Sequence, residues 1–473
     1  MKVRVLESQL RIATVRARMP FRYGIVTMTR APHLFVELLV EIGGKTVRGV
    51  SADHLPPKWF TKNPATTIGE DVADMISVIE HAGAAALRTG AAESVFVWWR
   101  ELYAAQKAWA DPRALPPLLW NFGVSLMERA VLDAFCRGTR TTFARAVREN
   151  TLGVRLTELD GELRGEPCDF LPSAPLREII ARHTVGLTDP LTDDEIPGEE
   201  KVDDGLPQSL AACIATNGLT HLKIKLAGDP DRDAARLRRI ATLVGGSCAF
   251  TLDGNENYRA VGPFRLLWET LLADPSLAEF MRGLIVVEQP LHRDAALTDA
   301  TANELRAWSA RPPMIIDESD ADLASLPRAL ECGYVGTSHK NCKGVFKGLL
   351  NTCRLRQRTA RGERVELTAE DLSNIGPIAL PQDLAVIATL GISHAERNGH
   401  HYFAGLSQWP ASIQQATFAA HGDLYEMHPR GFPVVRVRAG RVAVDSVVAA
   451  PFGCNAELDL TPFPKLADWD GEI

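Results

Sequence analysis

Between residues 184 and 395 the chain repeats one unit: a short run of β-formers, a polar break, then an amphipathic helical stretch. Strand-like runs fall at 184–187, 221–225, 249–252, 284–287, 314–316, 334–338, 365–368 and 392–395. Apolar residues at helical spacing lie between them, as at 206–215, 230–243, 263–272, 321–329, 346–359 and 384–389. Eight strands alternating with helices predict an α/β fold, a (β/α)8 barrel. A barrel of roughly 250 residues gives each unit about 31 of them.

The second strand reads Thr220-His221-Leu222-Lys223-Ile224-Lys225. Side chains alternate along a strand, so Lys223 and Lys225 share a face. Two ammonium groups on a buried strand are costly unless anions oppose them. The next three strands end in acids: Asp253 before Gly254-Asn255, Glu288 before Gln289-Pro290, and Asp317 before Glu318-Ser319. Asp253 lies 28 residues after Lys225, Glu288 a further 35, Asp317 a further 29, and Lys340, on the sixth strand, a further 23. Each step is about one βα unit, so these groups converge on the C-terminal mouth, where barrels keep their catalytic side chains.

Three carboxylates gathered there repel one another unless a cation sits among them. With no Cys or His in the set, hard oxygen ligands select Mg²⁺, with Mn²⁺ the alternative, over zinc. Asn255 and Glu318 stand close enough to support those ligands. Lysines from strands two and six flank the ion. The predicted chemistry is removal of a proton α to a substrate carboxylate by a lysine, the cation stabilising the enediolate. A lysine base needs its pKa lowered toward neutrality, and Lys223 and the cation both push Lys225 that way. A lone Lys-x-Lys is ordinarily a solvated edge; the acids and Lys340 in register reverse that reading.

Ahead of the barrel, residues 1–60 read as a meander of strands and 66–150 as helices, the strongest former being 128–134. Residues 151–183 are the least periodic and suit a connecting segment. Two stretches, 19–32 with Arg22, Tyr23 and Arg30, and 51–64 with His54, Lys58, Trp59 and Phe60, read either as solvated loops or as lids over the mouth. Arg22 and Lys58 are candidates to bind a distal anion on the substrate, or are surface charges. Asp371, with Glu370 and Thr368, ends strand seven as a substrate contact or a turn cap. His394, Glu396, His400 and His401 surround strand eight without a zinc-like spacing; they read as core or loop residues, with one or two substrate contacts among them. The β-rich run at 434–444 is expected to pair back onto the N-terminal strands.

The net charge of −7 argues against a nucleic-acid partner held by bulk charge. No stretch reads as long and apolar enough to span a bilayer, and the alternating N-terminus has no signal-peptide core. Eight scattered cysteines with no Cys-x-x-Cys predict reduced thiols and a cytoplasmic protein.

At these residues the sequence resembles the enolase superfamily and, within it, the muconate-lactonizing-enzyme subgroup of the mandelate racemase/muconate lactonizing enzyme family. The resemblance rests on Lys223-Ile224-Lys225, Asp253-Gly254-Asn255, Glu288-Gln289-Pro290, Asp317-Glu318-Ser319 and Lys340-Asn341-Cys342-Lys343-Gly344, in that order. Ala130-Val131-Leu132-Asp133-Ala134 stands where members carry an Ala-Leu-Trp-Asp-like helix. The resemblance implies a modified TIM barrel over 184–410 and an α+β capping domain over 1–150, with lid loops near 19–32 and 51–64. It also implies a connecting segment, 151–183, and a C-terminal segment, 411–473, that returns to the cap. Asp253, Glu288 and Asp317 would bind Mg²⁺; Lys225 and Lys340 would be acid/base groups on opposite faces; Lys223 would tune Lys225 and help hold the substrate carboxylate. A homo-oligomer is implied as well.

The expected activity is that of a racemase/epimerase or cycloisomerase acting on a small carboxylate. An acid-sugar or hydroxy-acid dehydratase of the same superfamily is the runner-up, although those members more often use a histidine. A non-catalytic barrel with a binding role is the alternative of another class, and the intact lysines and acids argue against it. A metal-dependent hydrolase would need a His-rich ligand set. No Asp-x-Asp ends strand eight, the mark of the dipeptide epimerases.

Overall fold

Three alternating runs near the N-terminus pair into an antiparallel sheet: β1 (Val3–Tyr23), β2 (Val26–Ile42) and β3 (Lys45–His54), in that order. The computed structural model describes residues 1–23 and 25–472, so one position of the 19–32 stretch lies outside the described residues. The remainder of that stretch is not a loop. Phe21, Arg22 and Tyr23 pair with Met28, Thr27 and Val26, extending the hairpin beyond a register slip between Arg16 and Phe21. The slip breaks the period-two pattern that marks a strand in sequence. Residues 51–54 likewise belong to β3, and the chain turns irregular only after His54.

Helices α1 (Ile68–Arg88), α2 (Val95–Ala110) and α3 (Pro117–Thr139) pack on this sheet. Thr67 and Glu70 form a capping box that starts α1. Helix α3 is buried on every side from Leu118 to Cys136, as a helix wedged between layers must be. Gly49 lets β3 lie against it, since a Cβ there would stand 2.0 Å from the Ala130 carbonyl oxygen. The charged groups of α3 find partners in neighbouring layers. Arg129 pairs with Asp53 at 2.7 Å, and Asp133 accepts the Val50 amide at 3.0 Å. Glu128 accepts the amides of Val345 (3.1 Å) and Phe346 (2.6 Å), capping the helix that follows Lys340.

Eight parallel strands form the barrel: β4 (Glu178–Val185), β5 (His221–Lys225), β6 (Ala249–Asp253), β7 (Leu284–Glu288), β8 (Met314–Ile316), β9 (Gly336–His339), β10 (Glu366–Ala369) and β11 (His394–Arg397). They neighbour one another in sequence order, and β11 pairs with β4 to close the ring. The first strand begins at Glu178, six residues before the expected start, because buried Arg182 and His183 disguise its apolar face.

The C-terminal run is also different from expectation. After a separate strand β12 (Tyr425–Met427), it splits between β13 (Pro433–Val435) and β14 (Arg441–Ala443). β12 and β13 pair with each other, while β14 lies antiparallel to β4 on the barrel and not on the N-terminal sheet. Ala439 and Gly440, at φ 49° and 71°, make the turn that interrupts the run. The last residues reach the N-terminal sheet, where Ile12 donates to the Pro464 carbonyl at 3.1 Å. All eight cysteines are free thiols. Among the described residues no helix is long and apolar enough to cross a membrane.

Candidate active site

Every barrel strand from β5 to β11 delivers a charged side chain to one mouth. Lys223 Nζ lies 2.5 Å from Glu288, 2.8 Å from Glu396, 2.9 Å from Glu370 and 3.1 Å from Asp253. Lys225 Nζ lies 2.5 Å from Asp253 Oδ2. Across the ring, Lys340 Nζ is 3.0 Å from Asp317 and 2.9 Å from Glu370, and sits 4.1 Å above the centre of the Trp59 ring. Lys343 Nζ holds the other oxygen of Asp317 at 2.6 Å.

The loops that carry these groups are tightly fixed. Gln289 accepts the Asp317 amide at 2.8 Å and donates to Ser319 at 2.8 Å, tying the ends of β7 and β8 together. Gly254 allows the loop after β6 to touch the next one, since a Cβ there would meet Pro290 Cα at 2.5 Å. Asn255, Glu256 and Gln289, directly after two of the acids, have φ of 42°, 62° and 35°. Non-glycine residues in this region store roughly 1–3 kcal/mol each and gather at functional sites.

Glu288, Asp317 and Glu370 each offer an oxygen within 4.8 Å of the others, and Glu288 Oε2 has no hydrogen-bond partner. All the donors are carboxylates, a set that suits a hard divalent cation. Glu370 was read in sequence only as a cap or substrate contact; its signal is an acid directly after a short strand, as at Asp253 and Glu288. Asp253 instead faces the two lysines of β5. Glu318 is buried with Asn255 Nδ2 3.5 Å away, and burial, then the Asp317 charge, pushes it up to about 8.

Burial disfavours charge at every one of these groups, and the partners decide the outcome. Lys223 and Lys340 are drawn down by burial but held well above the ordinary lysine value by their carboxylates. Burial raises Asp253, yet Lys223 and Lys225 bring it down to about 2. Glu288 goes well above the carboxylate range, by burial and then by the Glu370 charge. Lys225 is the informative case. Burial and Lys223 lower it as expected, but Asp253 and Glu396 outweigh them, so the chain's own groups leave it above the ordinary lysine value.

Lys225, Asn255, Asp317, Lys340, Glu370, Asp371 and Glu396 line a cavity of about 60 Å³, closed above by Phe21, Tyr23, Met28, Pro56 and Trp59. Asp371 pairs with Arg397. The other expected substrate contacts do not line this cavity. Arg22 pairs with Glu200 at 2.6 Å. Lys58 donates to Asn63 and Thr66 and pairs with Asp71 at 3.2 Å, bracing the start of α1. His400 and His401 cluster with His183. A wider surface groove of about 780 Å³, between Arg48, Arg137, Arg140 and Arg145, contains none of the lysines or strand-end acids of the barrel.

The fold has close counterparts among solved structures. A mandelate racemase/muconate lactonizing protein from Herpetosiphon aurantiacus superposes with a TM-score of 0.60 over 96% of this chain and 99% of that one, at 18% identity. The chain has the enolase-superfamily fold. A second similar structure is the dipeptide epimerase from Enterococcus faecalis V583 complexed with Mg and the dipeptide L-Leu-L-Tyr. It matches with a TM-score of 0.57 and 16% identity over 85% of this chain and 92% of that one. In sequence, an L-Lys-D/L-Arg epimerase of Methylococcus capsulatus is 29% identical over 174 residues. That match spans 36% of this chain and 44% of the relative, less than half of either. No family model matches the sequence.

Proposed function

We propose that this chain is a Mg²⁺-dependent enolase-superfamily isomerase, a racemase or epimerase that removes and returns the proton α to the carboxylate of a small acid. The observation that carries the reading is the disposition of Lys225 and Lys340. They stand at the ends of β5 and β9, four steps apart in a closed ring of eight strands, and both line one cavity. Inversion at a carbon needs this pair: one lysine takes the proton from one face and the other supplies a proton to the opposite face. Glu288 and Asp317, with Asp253 or Glu370, would hold the metal ion. When bound, Mg²⁺ supplies positive charge opposite the substrate carboxylate, where the charge of the enediolate collects.

Lys223 keeps its proton among four carboxylates and does not itself line the cavity, so its fixed positive charge acts on the site through those acids. Trp59, Tyr23, Phe21 and Met28 exclude water from the reacting carbon. The cavity of about 60 Å³ has room for roughly two waters, so these side chains must shift to admit an acid. The Mg ion and dipeptide of the Enterococcus structure, and the epimerase name of the Methylococcus relative, support the metal and the reaction class. Among the described residues no histidine lines the cavity, which weighs against the dehydratase alternative.

The test is incubation with Mg²⁺ and a panel of amino acids, N-acylamino acids and dipeptides in D₂O, read by NMR and chiral chromatography. The expected result is deuterium at the α-carbon of at least one acid, in both configurations, lost with a chelator and restored by Mg²⁺. Conversion of an unsaturated acid to a lactone without inversion would assign cycloisomerisation instead. Tight Mg²⁺ binding with no exchange across the panel would favour the binding barrel.

A further inference from the structure

We propose that His183, Cys213 and His401 form a second metal site, for a borderline-soft divalent ion of the zinc class, outside the barrel wall. The three come from β4, from the helix Leu210–Asn217 and from the short helix Gly399–Tyr402. They are 2%, 1% and 4% exposed. One ligand atom from each lies within 4.8 Å of the other two. His401 Nδ1 stands 3.5 Å from Cys213 Sγ. Around a tetrahedral zinc with Zn–S of about 2.3 Å and Zn–N of about 2.1 Å, sulfur and nitrogen ligands are roughly 3.6 Å apart. That edge already has its ligated length, and the edges to His183 need to contract by no more than about 1.4 Å.

This cluster is separate from the carboxylate mouth. Along β4, Thr184 turns into the barrel to reach Glu396 at 2.5 Å, and Arg182 turns in toward His394 at 3.0 Å. Alternation sends His183 outward. A second observation points to a ligand: His183 Nδ1 has no hydrogen-bond partner, and neighbouring His400 has both ring nitrogens buried and unpaired. The His183 and His400 rings are 5.6 Å apart, so His400 borders the cluster. Unpaired buried nitrogens are rare in native interiors, and a metal ion turns their lone pairs into bonds.

The protonation states suit ligation. Burial, then their mutual charges, hold His400 and His401 well below the ordinary histidine value, and burial brings His183 down to about 4, so the imidazoles are neutral. Cys213 is a thiol pushed up to about 12 by burial. Binding of the ion forms a metal–sulfur bond and releases that one proton. Arg18, which donates to the His401 carbonyl at 3.0 Å, adds positive charge nearby; Asp189, held by Tyr402 at 2.8 Å, supplies negative charge. A thiolate with imidazoles selects zinc-class ions over Mg²⁺. The site would staple the first barrel strand to the segment before residue 217 and to Tyr402, whose ring stacks 4.1 Å from Phe21 above the active cavity.

The full chain, stripped with a chelator and held in excess Mg²⁺ to fill the carboxylate site, is titrated with Co²⁺ and then Zn²⁺. The expected result is one equivalent of Co²⁺ giving a thiolate-to-cobalt charge-transfer band and the visible bands of tetrahedral cobalt, both erased by Zn²⁺. Cys213→Ser should lose the charge-transfer band, and His183→Gln should weaken Zn²⁺ binding at least about tenfold, with Mg²⁺ affinity and circular dichroism unchanged. No thiolate–cobalt band in the unaltered chain, or a band that survives in Cys213→Ser, overturns the proposal. The titration of the unaltered chain decides the matter even where a variant does not fold.

Discussion

Glu370 touches both Lys223 and Lys340 through one oxygen, Oε2, at 2.9 Å to each. It therefore joins the lysines of strands two and six, and it shares the carboxylate cluster with Glu288 and Asp317. Asp253, the acid expected third in that cluster, is taken up by Lys225 and Lys223. Either acid completes a three-carboxylate ligand set, and calorimetric Mg²⁺ titration of Asp253→Asn and Glu370→Gln separates them. The variant that loses the true third ligand should bind Mg²⁺ more than about tenfold more weakly; equal, unchanged affinities would remove both from the site. In the proposed reaction the lysines act on the proton and not on the ion. Lys225→Ala and Lys340→Ala should each slow racemisation by about 10²–10⁴-fold with Mg²⁺ affinity kept. Full activity in either variant would end the two-base reading.

Between elements, close approach sets the geometry. β3 can lie on α3 only because position 49 has no side chain, and a Cβ there would meet backbone at 2.0 Å. Gly49→Ala should cost roughly 1–3 kcal/mol or more, seen as a lower denaturant midpoint. Gly161→Ala, with nothing within 4 Å, should leave the midpoint unchanged. The same scale explains what the residue order makes legible. The barrel strands are legible because several, such as Val286-Val287-Glu288, are apolar runs ending in a charge, and the spacing of the runs repeats. The hairpin tip at 19–28 is not, because the slip after Arg16 destroys the alternation while pairing continues. β14 is three residues long, and nothing in Arg441-Val442-Ala443 distinguishes β4 from β1 as its partner. Among site residues, Lys225 and Lys340 announce themselves by register. The cover is legible only as one of two readings: the stretches with Phe21, Met28 and Trp59 read as lids or as solvated loops, and the choice depends on how two layers meet.

Over the whole molecule, many histidines are buried and neutral. Burial brings His54, His339 and His421 down to about 4, from an unfolded value of 6.5. Between those values the unfolded chain binds protons that these folded histidines refuse, so their contribution to stability rises with pH across the window and is complete above 6.5. One unit below 6.5 each such group has forfeited roughly 1 kcal/mol. Tm should therefore fall as the pH drops from about 7 to about 5.5, with a shallower slope in His54→Gln; scanning calorimetry would show it, and a flat profile would reject it. The Glu128 cap on Val345 and Phe346 links positions 217 and 218 residues apart. On a ribosome adding about 5–20 residues per second, roughly 10–40 seconds separate the emergence of the two ends. The helix that steadies Lys340 thus docks on a surface made long before it, and the catalytic mouth is among the last parts of a newborn chain to become rigid.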